Sequence, residues 1–297
     1  MKKRKEPIFK GVGTALVTPF SNGEIDYLAL GRLIEEQIAA GVGALVIGGT
    51  TGEAATLSES ERYELYERAV RAIDGRTRII LGTGTNDTRV AIKHTKAARS
   101  VGADGALVVT PYYNKGTEEG VFRHYMMIAD ECDIPIILYN VPSRTGVNLG
   151  LHLLERLSHH PSIVGLKEAG DSADRLTALA EFRDTLPLYA GNDSQIYPTL
   201  ALGGVGVISV VSNVLPKLTS RLCELYFGGK RADALELQLK LLPLIRALFV
   251  ETNPAPLKYA LSLAKHISAE LRLPLSEVRE SSKQLIREEL SAFCDIS

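Results

Sequence analysis

Short apolar runs rich in β-branched residues recur eight times along the chain, at 13–17, 44–48, 79–82, 105–110, 134–139, 163–167, 188–191 and 206–210. Within each run the apolar side chains follow one another instead of alternating with polar ones, the pattern of strands covered on both faces. Amphipathic stretches such as 27–40, 60–72 and 89–100 fill most of the intervals. The chain therefore reads as strand and helix in alternation. Ser58, three residues ahead of Glu61, has the spacing of a capping box, and Gly41, Gly75 and Gly102 stand where helices should stop.

Two α/β architectures use such a pattern, a closed (β/α)8 TIM barrel and a doubly wound open sheet. An open sheet is expected to carry a glycine-rich phosphate loop after its first strand. Here Leu16-Val17-Thr18-Pro19-Phe20 follows instead, and no nucleotide fingerprint occurs elsewhere, so the barrel is predicted. Beyond the eighth run, apolar helical patterns at 215–227, 231–250 and 256–266 predict a C-terminal helical extension. The expected division is a catalytic barrel over 1–230 and a helical domain over 231–297.

With 297 residues, 45% hydrophobic and 23% charged, the chain can bury a large core. Its 34 basic residues nearly balance 35 acidic ones, so no global field draws it to nucleic acid or an anionic membrane. Lys2-Lys3-Arg4-Lys5 is the one basic run, and it lacks the apolar segment of about 7–15 residues that a signal peptide needs. It reads as a short solvated tail. No stretch approaches the roughly 18 apolar residues of a membrane helix, and Cys132, Cys223 and Cys294 have neither disulfide nor metal-ligand spacing. A cytoplasmic protein is expected.

A barrel of this kind carries its active site at the C-terminal strand ends, so the polar residues closing each run are the candidates. The second run leads into Gly49-Thr50-Thr51-Gly52-Glu53, the fourth into Pro111-Tyr112-Tyr113-Asn114, the fifth into Tyr139-Asn140-Val141-Pro142-Ser143-Arg144, and the sixth ends at Lys167. An ammonium at a buried strand end is either paired, for instance with Glu168, or reactive: low dielectric disfavours its charge and leaves an amine able to attack a carbonyl. A phenol such as Tyr139 can donate and accept the protons that carbinolamine formation and dehydration need. Glycines around Thr50-Thr51 let backbone amides approach a carboxylate, and Arg144 suits a second carboxylate held in bidentate fashion. Asp87, Asp104 and Glu53 lack metal-ligand spacing with any histidine, so no metal is expected.

These motifs, together with Gly165-Leu166-Lys167-Glu168 and Gly206-Val207-Ile208-Ser209, resemble the dihydrodipicolinate synthase family, in order, from about residue 8 to about residue 290. The resemblance implies a lyase of the lysine-dependent pyruvate aldolase superfamily, with Lys167 forming an imine with pyruvate and Thr51 holding the pyruvate carboxylate. It makes Tyr139 the proton shuttle, linked through Thr50 to Tyr113, which reaches into a neighbouring subunit's site. The enamine attacks aspartate semialdehyde, anchored at Arg144, and Ile208 contributes its backbone carbonyl near the lysine. No organic cofactor is implied, and the usual assembly is a homotetramer of two tight dimers. A lyase acting on a 2-keto-3-deoxy sugar acid is the nearest alternative, and Arg144 after Val-Pro-Ser favours the synthase. In lysine-inhibited members the effector lies near the equivalents of Ala54, Ala55, Glu59, Arg62, Asn86, Val90 and Tyr112. Valine at 90 removes a carboxylate, and Glu59 and Arg62 replace frequent histidines, so weak or absent lysine inhibition is expected.

Overall fold

The structure is a computed structural model that describes residues 4–264 and 267–294. Strands β1 (Gly11–Ala15), β2 (Ala44–Ile47), β3 (Arg78–Gly82), β4 (Gly105–Val109), β5 (Ile136–Asn140), β6 (Ile163–Glu168), β7 (Leu188–Ala190) and β8 (Gly206–Ser209) form a closed, all-parallel barrel. Each pairs with its neighbour in sequence, and β8 returns to β1. Around it run α1 (Tyr27–Ala39), α2 (Glu59–Ile73), α3 (Thr88–Ser100), α4 (Glu118–Cys132), the one-turn α5 (Pro142–Thr145), α6 (Leu151–Ser158), α7 (Ala173–Leu179), α8 (Ile196–Ala201) and α9 (Pro216–Phe227). The extension comprises α10 (Arg231–Ala247), α11 (Ala255–Leu263) and α12 (Glu280–Ser291). His266, the last residue of the third predicted helical pattern, lies outside the described residues, as do Lys2 and Lys3 of the basic run.

Continuous apolar strands work here because both faces are covered. Leu45, Ile47, Leu81, Val108, Leu138 and Leu166 face out beneath the helices in one cluster, while Val46, Ile80, Leu107, Ile137, Tyr139, Tyr189 and Ile208 fill the lumen in a second. Phe9 stacks on Tyr189 at 4.5 Å between centroids, and the Tyr189 hydroxyl donates to the Phe9 carbonyl at 2.9 Å. The lumen is thereby a packed core and not a channel.

Ser58 and Glu61 form the reciprocal capping box of α2, and Gly41 and Gly102 take left-handed φ values of 72° and 89° directly after α1 and α3. Some boundaries differ from expectation. β1 lies two residues earlier than its apolar run, because the amide of Val17 donates to the Asn213 side chain at 3.1 Å and leaves the ladder. β5 begins at Ile136 because Pro135 has no amide hydrogen to contribute. A two-stranded ribbon, Phe20–Ser21 with Glu24–Ile25, and helix α12 add elements that the periodicity did not suggest.

The basic run is not simply a solvated tail. Lys5 Nζ donates to the carbonyls of Ser158, His160 and Ile163 at 2.6–2.7 Å, capping the end of α6 where it turns into β6. Burial pulls its pKa down to about 8.

Candidate active site

Period-two alternation fixes where Lys167 goes. Leu166 and Glu168 face outward, so Lys167 faces the lumen, paired in register with Tyr139 on β5 and Tyr189 on β7. Lys167 is 5% exposed, and its Nζ sits 4.2 Å from the centroid of the Tyr139 ring. That contact with an aromatic face is what a buried amine finds here.

Glu168 does not pair with Lys167. Its carboxylate accepts from Asn140 Nδ2 at 2.9 and 3.0 Å, from the Gly170 amide at 2.7 Å and from Arg175 Nε at 3.0 Å, with Arg175 Nη2 at 2.9 Å. Asn140 in turn accepts from the Leu149 amide through Oδ1 at 3.0 Å. This outward-facing network clamps the ends of β5 and β6 together one residue beyond the Tyr139 and Lys167 pair. Among the described residues no carboxylate forms an ion pair with Lys167.

Within reach of the lysine's charge is Asp193, fully buried, whose Oδ2 accepts from the Val210 and Val211 amides at 2.9 and 2.8 Å. Burial raises its pKa, against hydrogen bonds from Ser209 and those amides and the Lys167 charge. Asp193 fixes the backbone directly after Ile208, which is wholly buried in the lumen.

The loop after β2 folds on itself: Gly49 O accepts from the Gly52 and Ala54 amides, and Thr50 O accepts from Glu53. Its approach to β3 is so close that a Cβ on Gly82 would strike the Gly48 carbonyl. Thr51 is buried and its Oγ1 accepts from Asn253 Nδ2 at 3.0 Å. Arg144, on the one-turn α5 that Pro142 starts, donates from Nη2 to the Asn253 carbonyl at 3.0 Å. Glu53, held at φ 52°, forms a buried ion pair with Lys258 of α11, and Lys258 Nζ also lies 4.0 Å from the Phe20 ring centroid. Burial pulls the Lys258 pKa down, and the Glu53 carboxylate opposes it.

A cavity of about 380 Å3 opens over this end of the barrel, lined among others by Thr50, Tyr139, Arg144, Asn253, Tyr112 and Arg62. Tyr139 stands between that cavity and Lys167. Tyr113 is elsewhere: 88% exposed at φ 70°, it is not among the residues that line this chain's own cavity. Each acid weighed as a metal ligand has a structural partner: Asp87 caps α3, Asp104 holds Arg78 and the Ile79 amide, and Glu53 holds Lys258.

Lys167, Tyr139, Thr50, Thr51, Arg144 and Ile208 thus gather at one barrel end, and Tyr113 does not. Sequence reading missed Asn253, Lys258 and Asp193. Asn253-Pro254-Ala255-Pro256 announces a break between helices, but nothing local says which barrel loop that break meets.

A parallel (β/α)8 barrel with a buried lumenal lysine at a C-terminal strand end defines the class of lysine-bearing barrel enzymes. Within that class the match is specific. Residues 8–293 match the family model described as "Dihydrodipicolinate synthetase family". The chain is 47% identical over 285 residues to the 4-hydroxy-tetrahydrodipicolinate synthase of Thermotoga neapolitana, covering 94% of this chain and 97% of that one. It is 44% identical over 287 residues to the enzyme of that name from Clostridium novyi, covering 96% and 97%. The crystal structure of dihydrodipicolinate synthase from Thermotoga maritima superposes with a TM-score of 0.94 at 45% identity, covering 96% of this chain and 98% of that one. The chain belongs to the dihydrodipicolinate synthetase family.

Proposed function

We infer that the chain is a lyase that condenses pyruvate with L-aspartate 4-semialdehyde to give 4-hydroxy-tetrahydrodipicolinate, the first committed step of diaminopimelate and lysine biosynthesis. The observation that carries the site assignment is Lys167 itself, a lumenal amine lying on the face of Tyr139 with its adjacent carboxylate turned outward to Arg175. The Lys167 amine attacks the keto carbon of pyruvate, and loss of water gives the imine. Loss of a methyl proton then gives an enamine that adds to the aldehyde. The substrate amine closes the ring and displaces Lys167. Tyr139 moves the protons. Thr51 receives the pyruvate carboxylate, with Thr50 beside it, and Arg144 the carboxylate of the second substrate.

Tyr113 serves the site of a second copy, in a dimer that pairs further into a homotetramer. Its full exposure beside Tyr112 on a loop with left-handed backbone supports this reading. Sedimentation velocity tests it: a species of four chains is expected, and Tyr113→Phe should lower kcat without changing the sedimentation coefficient. A monomer that retains full activity would sink the role of Tyr113.

Pyruvate consumption in the presence of aspartate semialdehyde, coupled to the next reductase, tests the whole reading. Wild-type turnover is expected to collapse by about 10³-fold or more in Lys167→Ala, and borohydride with pyruvate should label the wild type at Lys167 and leave the variant unlabelled. Folded wild-type protein that turns over no aspartate semialdehyde would reject this substrate and direct assays to sugar acid cleavage.

A further inference from the structure

Asn253 belongs to no barrel element. It sits between α10 and α11, yet it is 5% exposed and lines the cavity above the barrel. Its two polar ends reach two anchors at once. The side-chain amide donates to Thr51 Oγ1 at 3.0 Å, and the backbone carbonyl accepts from Arg144 Nη2 at 3.0 Å. A threonine hydroxyl has one proton and two acceptor sites. With the amide occupying an acceptor site, the hydroxyl proton is left to point elsewhere, and the chain neighbours Thr50 and Glu53, with Asn253 itself, stand on the cavity wall. Arg144 likewise has one of its five N–H donors committed to Asn253, which tethers that end of the guanidinium and leaves the rest of the fork for a ligand. Asn253 Oδ1 is buried without a hydrogen-bond partner among the described residues, a cost that a purely structural asparagine has no reason to retain.

We propose that Asn253 is a positioning residue that aims the Thr51 hydroxyl at the carboxylate of pyruvate, so that the helical extension sets the barrel's affinity for its first substrate. The proposal rests on the reading of Thr51 given above. Its backbone carbonyl, which no side-chain substitution removes, keeps Arg144 in place. The two substrates should therefore respond differently to a change at position 253.

The test uses Asn253→Leu, which keeps the branched shape, removes the donor to Thr51 and removes the orphan oxygen. Asn253→Ala is the second variant, and both are made alone and with Thr51→Val. In the coupled assay, each single variant at 253 should raise the KM for pyruvate about tenfold, the effect of one lost charge-assisted contact. The KM for aspartate semialdehyde and kcat should each stay within about threefold, and the variants' Tm should stay close to that of the wild type. On the Thr51→Val background, a 253 substitution should add less than twofold, because the donor has already lost its acceptor. A merely structural role would shift both KM values together and add to Thr51→Val, and either result overturns the proposal. If Thr51→Val raises the pyruvate KM and the 253 variants do not, the proposal alone fails. If Thr51→Val leaves that KM unchanged, the reading of Thr51 fails and the proposal goes with it.

Discussion

Position 90 carries an exposed valine where the family resemblance implies a carboxylate in lysine-inhibited members. Glu59, the acid that could supply the missing charge from another direction, is already engaged: Lys93 Nζ donates to both of its oxygens at 2.7 and 2.8 Å. Arg62 donates to the Ala54 carbonyl at 2.6 Å and presents a cation at the same wall of the cavity, unfavourable for an ammonium ligand. Losing a charge-assisted contact costs about 1.5–3 kcal/mol, or roughly tenfold to a hundredfold in affinity. Submillimolar lysine should therefore leave activity above half, and Val90→Glu should lower the half-inhibiting concentration by about tenfold. An inhibition curve for each protein decides it. Residues such as Lys167 and Tyr139 were legible in the sequence because each interrupts an apolar run at its C-terminal end. Asn253 was not, because its partner Thr51 is 202 positions away and only the closed fold brings them together.

At the scale of elements, the strands and helices were readable wherever burial is two-sided or the amphipathic stripe is continuous. Their ends were not, since a side chain from a distant loop or a proline decides where the ladder stops, as Asn213 and Pro135 do for β1 and β5. The β2 loop depends on such a distant partner. Glu53 and Lys258 are almost completely buried against each other, and Arg272 adds its amide to Glu53 Oε2 at 3.2 Å and its guanidinium to Glu61, Thr56 O and Gly23 O. Removing one partner of a buried pair leaves an uncompensated charge, so Lys258→Met should destabilise the fold by about 3–5 kcal/mol. Urea unfolding of the two proteins measures this, and a loss below about 1 kcal/mol would show that Glu53 finds another cation or becomes protonated.

Two histidines make the whole molecule sensitive to acid. Burial, with the Arg62 charge adding to it at His94, pulls His94 from 6.5 to about 4, and burial does the same to His124, whose Nε2 has no partner among the described residues. Above pH 6.5 neither affects stability, because both are neutral folded and unfolded. Between 6.5 and about 4 the unfolded chain binds protons that the folded chain refuses, so stability falls as pH falls through that window. Glu61, held at about 2 by Arg272, acts in the same direction at lower pH. Calorimetric Tm should therefore drop from pH 7 to pH 4.5, and the drop should be smaller in His124→Gln. The sequence invites a cut after Lys230, where a complete barrel has been built and only helices remain. The contacts of Glu53 argue against it. A chain shortened there would keep the Glu53 carboxylate at the barrel mouth while losing Lys258 and Arg272, and Thr51 would lose the Asn253 side chain that donates to it. The helical extension is thus the keystone of the barrel mouth, and swapping it between relatives should exchange stability and, on the role proposed for Asn253, substrate affinity with it.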